Sequence, residues 1–182
     1  MPARPYRQRM ILIYRKGEGD VMIQMIRVDD RLLHGQVAYS WKSALNYQAI
    51  VIACDEAADD NVRKMALKLC APDGVKLAVR RVEEAAEMLN NPKLDNLKVF
   101  VICANPSDVV RLVGMLKEKP VINLGGMQKR EGTFNFAKAV FVNDQDLEAL
   151  DQLHTEGFQI EVRQVPSYQP VPYESLRKKA DR

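Results

Sequence analysis

Two short apolar runs constrain the fold of this chain more than any other feature. Ile50-Val51-Ile52 and Val99-Phe100-Val101-Ile102 are continuous and rich in β-branched residues. A strand with one face in water alternates apolar and polar residues, so continuous runs predict strands that are buried on both faces, as in a parallel sheet covered by helices. Similar patterns predict strands at residues 22–28, 49–54, 75–79, 98–103, 121–124, 139–142 and 159–165.

Helical patterns separate these strands, at residues 36–45, 60–70, 82–89, 107–117 and 144–156. Asp59-Asp60 provides a plausible cap for the second of these helices, and Gly157 follows the last one. Strands that alternate with helices through short connections predict an α/β fold: a single open, mostly parallel sheet of about seven strands with helices on both faces. Prolines interrupt the chain from Pro166, which predicts a surface tail with a short helix at 173–179.

The charge of the chain is unevenly distributed. Residues 1–21 contain five basic and two acidic residues and so account for the whole net charge of +3, while the remainder contains 22 of each. A neutral body argues against nucleic acid as the main partner. We therefore expect residues 1–21 to form an N-terminal extension, disordered or not native to the fold, and residues 22–182 to form one domain. This extension could result from an upstream translation start, or it could be a short basic arm that contacts a membrane or a partner.

Two further absences narrow the class of protein. No apolar run approaches the roughly 20 residues that a membrane helix needs. The three cysteines, Cys54, Cys70 and Cys103, form no CxxC pair, which favours reduced, packed thiols in a cytoplasmic protein.

One charged stretch, residues 27–37, lies between the first predicted strand and the first helix. It contains His34, one of only two histidines. Ligands of α/β proteins gather at the carboxyl edge of the sheet, which is where this turn lies. Gly35 allows close approach of backbone and ligand, and the amides of Gly35, Gln36 and the following residue can hold an anion at the helix start.

Basic side chains in the same stretch could bind a phosphate group. Arg31 and Arg27 supply guanidinium groups, which bind phosphate oxygens in a fork. A helix start also favours the neutral, nucleophilic imidazole at His34. These are the requirements for transient phosphorylation of a histidine.

The residues alone leave other interpretations open. Arg31 could pair with Asp29 or Asp30 in a loop beside an exposed His34. A metal site formed by Asp29, Asp30 and His34 is less favoured, because no second histidine lies at ligand spacing. The sequence contains no P-loop and no dinucleotide fingerprint after a strand, so we expect neither a metal nor a cofactor.

Three other residues lie where strands end at the same predicted edge. Gly125-Gly126 follows the fifth strand and predicts either a loop lining a phosphate site or a tight turn. Asp55 follows the second strand and could orient His34, bind a partner's arginine or cap the next helix.

Residues 29–37, Asp-Asp-Arg-Leu-Leu-His-Gly-Gln-Val, resemble the active-site signature of the IIB components of the mannose/fructose/sorbose class of the bacterial phosphoenolpyruvate-dependent sugar phosphotransferase system. The resemblance runs from about Met22 to the C-terminus and leaves out the first 21 residues. Further stretches follow the family pattern in order, at residues 71–76, 91–93, 105–108, 123–127 and 157–163.

This resemblance implies a cytoplasmic phosphocarrier, a protein-N(π)-phosphohistidine–sugar phosphotransferase peripherally associated with a membrane permease. The histidine that matches, His34, would take a phosphoryl group on Nδ1 from a phosphohistidine of the IIA partner. It would then pass the group to a sugar held by the membrane components IIC and IID. Arg31 matches the arginine beside the phosphate. The oligomeric state stays open, with a homodimer among the options.

A non-catalytic regulatory or binding module on the same α/β fold is the alternative hypothesis. The intact set of Arg31, His34 and Gly35 speaks against it.

Overall fold

The computed structural model describes residues 22–180 and contains one main sheet, a separate hairpin and seven α-helices within that range. The strands are β1 (Ile23–Asp29), β2 (Ala49–Ala53), β3 (Lys76–Arg80), β4 (Val99–Cys103), β5 (Ile122–Gly126), β6 (Phe134–Ala137), β7 (Val140–Val142), β8 (Ile160–Val162) and β9 (Val171–Pro172). The helices are α1 (Gly35–Leu45), α2 (Asp55–Asp59), α3 (Asn61–Leu69), α4 (Val82–Leu89), α5 (Pro106–Val113), α6 (Asp144–Thr155) and α7 (Tyr173–Ala180).

The main sheet has seven strands in the order β3-β2-β4-β1-β5-β8-β9. All neighbours are parallel except β9, which runs antiparallel to β8. The predicted α/β fold is therefore confirmed. Strand β1 lies at the centre, and its carboxyl end is flanked by β4 and β5.

Two hydrophobic cores cover the two faces of this sheet. Helices α1, α2 and α3 pack on one face, where Trp41 stacks on Phe100 with 6.3 Å between ring centroids. Helices α4, α5, α6 and α7 pack on the other face, around Val101, Leu112 and Leu150. The chain thus leaves β1 and β5 toward opposite faces, which opens a crevice at the carboxyl end of β1.

The edge of the sheet differs from the prediction in two places. The strand predicted at 139–142 is not part of the main sheet: β7 pairs with the unpredicted β6 in an antiparallel hairpin. The tail predicted on the surface instead supplies β9 and then Tyr173, which is fully buried and donates a hydrogen bond to Asp151 at 2.8 Å. Burial of this aromatic ring explains why the last segment packs into the fold.

Three of the seven α-helices in residues 22–180, namely α3, α5 and α6, begin at a residue whose side chain caps the helix. Asp60 caps α3 by accepting a hydrogen bond from the Arg63 amide at 3.0 Å, as Asp59-Asp60 predicted. Asn143 and Asp146 form a capping box at the start of α6. Helix α5 ends at Val113, four residues earlier than predicted.

Three remaining expectations concern the cysteines, membrane-spanning helices and the N-terminal segment. Cys54 and Cys103 are buried free thiols, whereas Cys70 is only partly buried. Between residues 22 and 180, no helix combines the length and hydrophobicity of a membrane span. The predicted N-terminal extension, residues 1–21, lies outside the described residues.

Candidate active site

His34 is the last residue before α1 and has extended backbone angles, φ −144° and ψ 160°. Its carbonyl accepts the first intrahelical hydrogen bond, from the Ala38 amide at 3.0 Å. Within the described residues, its imidazole makes no capping hydrogen bond to the helix. The helix start at exposed Gly35 and Gln36 therefore has no side-chain cap from His34, and anion binding by these amides stays a prediction from the sequence.

The Nε2 atom of His34 lies between two groups of opposite charge. The Nη2 atom of Arg31 is 3.0 Å away, and Oδ2 of the fully buried Asp29 is 3.4 Å away. A ring nitrogen either donates or accepts a hydrogen bond, so these two contacts require opposite protonation states of Nε2. In the part of the chain that the structure describes, Nδ1 makes no hydrogen bond.

Arg27 lies beneath this site rather than in it. Its side chain is 2% exposed, and Nη2 and Nε donate to Asp29 Oδ2 at 2.9 and 3.3 Å. Its Nη1 donates to Asn123 at 2.8 Å. Burial lowers the pKa of Arg27, and the Asp29 carboxylate counteracts that effect. The sequence suggested that Arg27 binds phosphate directly, whereas the structure places it where it holds Asp29.

Two glycines at the end of β5 leave room for these charges. A Cβ on Gly125 would lie 1.9 Å from Arg27 Cζ, a distance that no packing can accept. A Cβ on Gly126 would lie 3.3 Å from the Asp29 carboxylate oxygens. Because the side chains of Arg27 and Asp29 lie against the backbone of Gly125 and Gly126, packing explains why both positions are glycine. The phosphate contact proposed from the sequence is not needed to explain them.

Asp30 ties the loop of the site to the segment after β5. Its amide donates to the Gly126 carbonyl at 3.0 Å, and its Oδ2 accepts a hydrogen bond from the Gln128 amide at 2.6 Å. The sequence leaves Asp29 and Asp30 undecided between setting the loop and meeting the partner, and these two hydrogen bonds show that Asp30 helps to set the loop. Asp29 sets the loop as well, because its Oδ1 accepts from the Arg31 amide at 3.2 Å.

Asp55 belongs to a different group of side chains, the Arg111 cluster, which comprises Asp55, Arg81, Glu83, Asp108 and Arg111. Asp55 accepts a hydrogen bond from the Val82 amide at 2.9 Å and pairs with Arg111 at 3.0 Å. These contacts lower the pKa of Asp55, the amide most strongly. Asp55 therefore caps α4, and across residues 22–180 it makes no hydrogen bond or ion pair to His34.

Nothing in the described part of the chain suggests a metal site: residues 22–180 contain no group of three or more His, Cys, Asp or Glu side chains that could hold a metal ion.

Comparisons with known proteins identify the family of the chain. A model of the family described as the PTS system sorbose subfamily IIB component matches residues 23–182. The sorbose-specific EIIB component of Lacticaseibacillus casei is 41% identical over 147 residues, which are 80% of this chain and 88% of that protein.

The chain belongs to this IIB family.

A solved IIB structure and a longer relative extend the comparison. The IIBSor domain of the sorbose permease from Klebsiella pneumoniae has a TM-score of 0.83 and 34% identity, covering 87% of this chain and 98% of that one. The mannose-specific EIIAB component of Escherichia coli K12 is 38% identical over 167 residues, 91% of this chain. The chain spans about half, 52%, of that longer protein. Family membership confirms the resemblance and the predicted class, a sugar-specific component of the phosphotransferase system.

Sequence reasoning did not identify a row of polar residues that this IIB chain buries under the site. Arg27 on β1 is in register with Asn123 on β5, which is in register with Glu161 on β8. Arg163 follows β8 and is 2% exposed. The available signal was a single polar residue inside otherwise apolar strands, as in Ile122-Asn123-Leu124.

Proposed function

We propose that this chain carries phosphoryl groups on Nδ1 of His34. It receives the group from a phosphohistidine on a IIA partner and delivers it to a sugar bound by the membrane components IIC and IID. The supporting observation is the surroundings of His34: a carboxylate faces Nε2, an arginine adjoins it, and an open helix start follows it.

Asp29 selects the reactive form of the imidazole. When Nε2 carries the proton and donates to Asp29, Nδ1 holds the lone pair and is the nucleophile. Attack of Nδ1 on phosphorus forms one N–P bond while the N–P bond of the donor breaks. The His34 ring then becomes a cation with its proton on Nε2, opposite the Asp29 carboxylate. The donor ring leaves as neutral imidazole.

Arg31 and the helix start neutralise the phosphoryl oxygens. The Arg31 side chain is 55% exposed, so it can turn from Nε2 toward a phosphoryl group without disturbing the core. Its departure leaves Nε2 free to donate to Asp29. Phosphoryl transfer passes through a loose transition state, in which positioning and charge neutralisation supply most of the catalysis.

The assembly with IIA, IIC and IID completes the proposal. Relatives that bear the names of sorbose-specific EIIB and mannose-specific EIIAB components support it. Delivery to a membrane-bound sugar requires the carrier to work on the cytoplasmic side and to associate peripherally with the permease.

Phosphate uptake from phosphoenolpyruvate tests the function. The chain, the general phosphotransferase proteins and a matching IIA should give a phosphoprotein that is labile in acid and stable in alkali. His34→Ala should abolish the label. His154→Ala is the matched control, because the other histidine is half-exposed and pairs with Glu174 at 3.6 Å, and it should be labelled normally.

Two results would refute the proposal. Equal labelling of His34→Ala would move the phosphoryl group elsewhere. A wild-type chain that binds IIA yet takes no label would favour the non-catalytic module.

A further inference from the structure

The polar row under His34 contains two buried acids and two buried guanidinium groups. Asp29 pairs with Arg27 at 2.9 Å, and Glu161 pairs with Arg163 at 3.1 Å. All four side chains are less than a tenth exposed. Buried charges are tolerated when each has a partner, so this row is a matched set of two pairs.

Asn123 joins the two pairs in a fixed orientation. Its Oδ1 accepts from Arg27 at 2.8 Å, while its Nδ2 donates to Glu161 at 3.3 Å and to the Arg163 carbonyl at 3.0 Å. One amide thus separates the Arg27 guanidinium from the second buried carboxylate.

Trp41, on α1, packs against both guanidinium groups of the row. The Cζ atoms of Arg27 and Arg163 lie 5.7 and 4.9 Å from its ring centroid, within cation–π range. Its indole N–H lies 3.4 Å from the Gln164 carbonyl, which also accepts from Arg27 at 3.2 Å. The four charged side chains of this layer are less than a tenth exposed, so a carboxylate that lost its partner here would depend on the remaining guanidinium for compensation.

We propose that Arg163 is a positioning residue for phosphoryl transfer, an inference that rests on the proposed role of His34 as phosphoryl acceptor. By neutralising Glu161, Arg163 keeps Arg27 paired with Asp29. Without Arg163, Glu161 competes for Arg27 across Asn123. Asp29 then loses part of the contact that aims it at Nε2 of His34. Burial raises the pKa of Glu161, and the positive charge of Arg163 opposes that rise.

A cycle of Glu161 and Arg163 variants in the full chain tests this coupling. Arg163→Met should slow phosphoryl uptake from phospho-IIA about tenfold, the scale seen when a residue that orients a reactive group is lost. Glu161→Gln removes the competing charge, so Glu161→Gln/Arg163→Met should return uptake to within about threefold of wild type. Glu161→Gln alone should also stay near wild type. A role limited to packing on Trp41 would give no such rescue.

A measurement without phosphate separates this inference from the proposed function. Nitrogen chemical shifts of His34 report the fraction of the ring with its proton on Nε2. That fraction should fall in Arg163→Met and recover in the double variant, whether or not the chain accepts phosphate. Arg111→Met is the matched control, because Arg111 also pairs with carboxylates, and it should leave the fraction unchanged.

Clear outcomes overturn the inference. Arg163→Met with wild-type tautomer fractions contradicts it, as does a double variant that stays as impaired as the single one. If Arg163→Met does not fold, Arg163→Lys decides the matter: it keeps the cation beside Glu161, and an altered His34 tautomer in that variant would exclude a role through charge.

Discussion

The His34 cluster, which comprises Arg27, Asp29, Arg31 and His34, and the Arg111 cluster lie at the same edge of the sheet but differ in burial. In the His34 cluster a fully buried pair supports two groups that reach solvent. The Arg111 cluster is a surface network: Arg111, 41% exposed, pairs with Glu83 and Asp55 at 2.7 and 3.0 Å. The two clusters thus share a position at the sheet edge, whereas only the His34 cluster has a buried carboxylate that faces a partly exposed histidine.

The energetics of the two clusters differ accordingly. Exposed ion pairs contribute about 0 to 1 kcal/mol each, because water and salt screen them. Breaking a buried pair costs about 3 to 5 kcal/mol, because a charge remains without its partner. The following substitutions use this contrast.

Asp29→Asn should have the largest effect on both stability and transfer. It leaves the buried Arg27 guanidinium without its carboxylate, which should lower the free energy of unfolding by about 3 kcal/mol. Phosphoryl uptake should fall at least as far as in Arg31→Ala. Denaturant unfolding and labelling from phosphoenolpyruvate measure the two effects, and wild-type stability would show that the pair is not structurally important.

Gly125→Ala should come next, because its Cβ cannot coexist with Arg27. The guanidinium must move away from Asn123 and Asp29, which should cost about 2 kcal/mol of unfolding free energy and slow phosphoryl uptake. Gly126→Ala is the graded comparison, since its Cβ would sit 3.3 Å from the Asp29 oxygens and needs only a small shift. Equal effects of both substitutions on the unfolding midpoint would contradict this account.

Arg31→Ala should separate function from stability. Its side chain is more than half exposed, so the free energy of unfolding should change by less than about 0.5 kcal/mol. Loss of a charged donor to the phosphoryl group should slow transfer about a hundredfold. Rapid-quench kinetics with phospho-IIA measure the rate, and unchanged kinetics would remove Arg31 from the mechanism.

Asp55→Asn should have the smallest effect, one that depends on pH and spares transfer. The pKa of Asp55 is lowered in the folded state, so its stabilising contribution is present above the ordinary carboxyl range and is lost as the pH falls through the folded-state pKa. The unfolding midpoints of wild type and variant should therefore differ most near neutral pH and converge in acid. A difference that grows in acid would reverse the assigned sign.

The sequence predicts the loop that carries His34 better than it predicts the residues that support this loop. Local signals were sufficient for the junction at His34, because a strand pattern, a glycine and a helix pattern follow one another there. Asp55 shows the limit: it ends a strand at the same edge, but β4 separates β2 from β1. Strand order depends on long-range pairing, which no local pattern encodes.

The sequence does not predict the burial of these charged side chains, for a related reason. From the sequence, Arg27 is predicted to bind phosphate, because the partners that enclose it, on β5 and after β8, are known only from the structure. Gly125 likewise reads as a turn until the guanidinium that fills its missing side chain is placed. Beyond the site, the two-residue strand β9 is too short to give a periodic signal of its own.

The open start of α1 has a consequence for how the phosphorylated and unphosphorylated forms of the chain would differ under the proposed function. In the described structure His34 gives the helix no side-chain cap, so we expect the amides of exposed Gly35 and Gln36 to exchange with solvent readily. A phosphoryl group on His34 would bring oxygens to those amides and act as the missing cap. Loading would then stiffen the first turn of α1, and amide hydrogen exchange there would distinguish charged from empty carrier. Under the proposed function, the same ordering would give the acceptor a surface that exists only when there is a phosphoryl group to deliver.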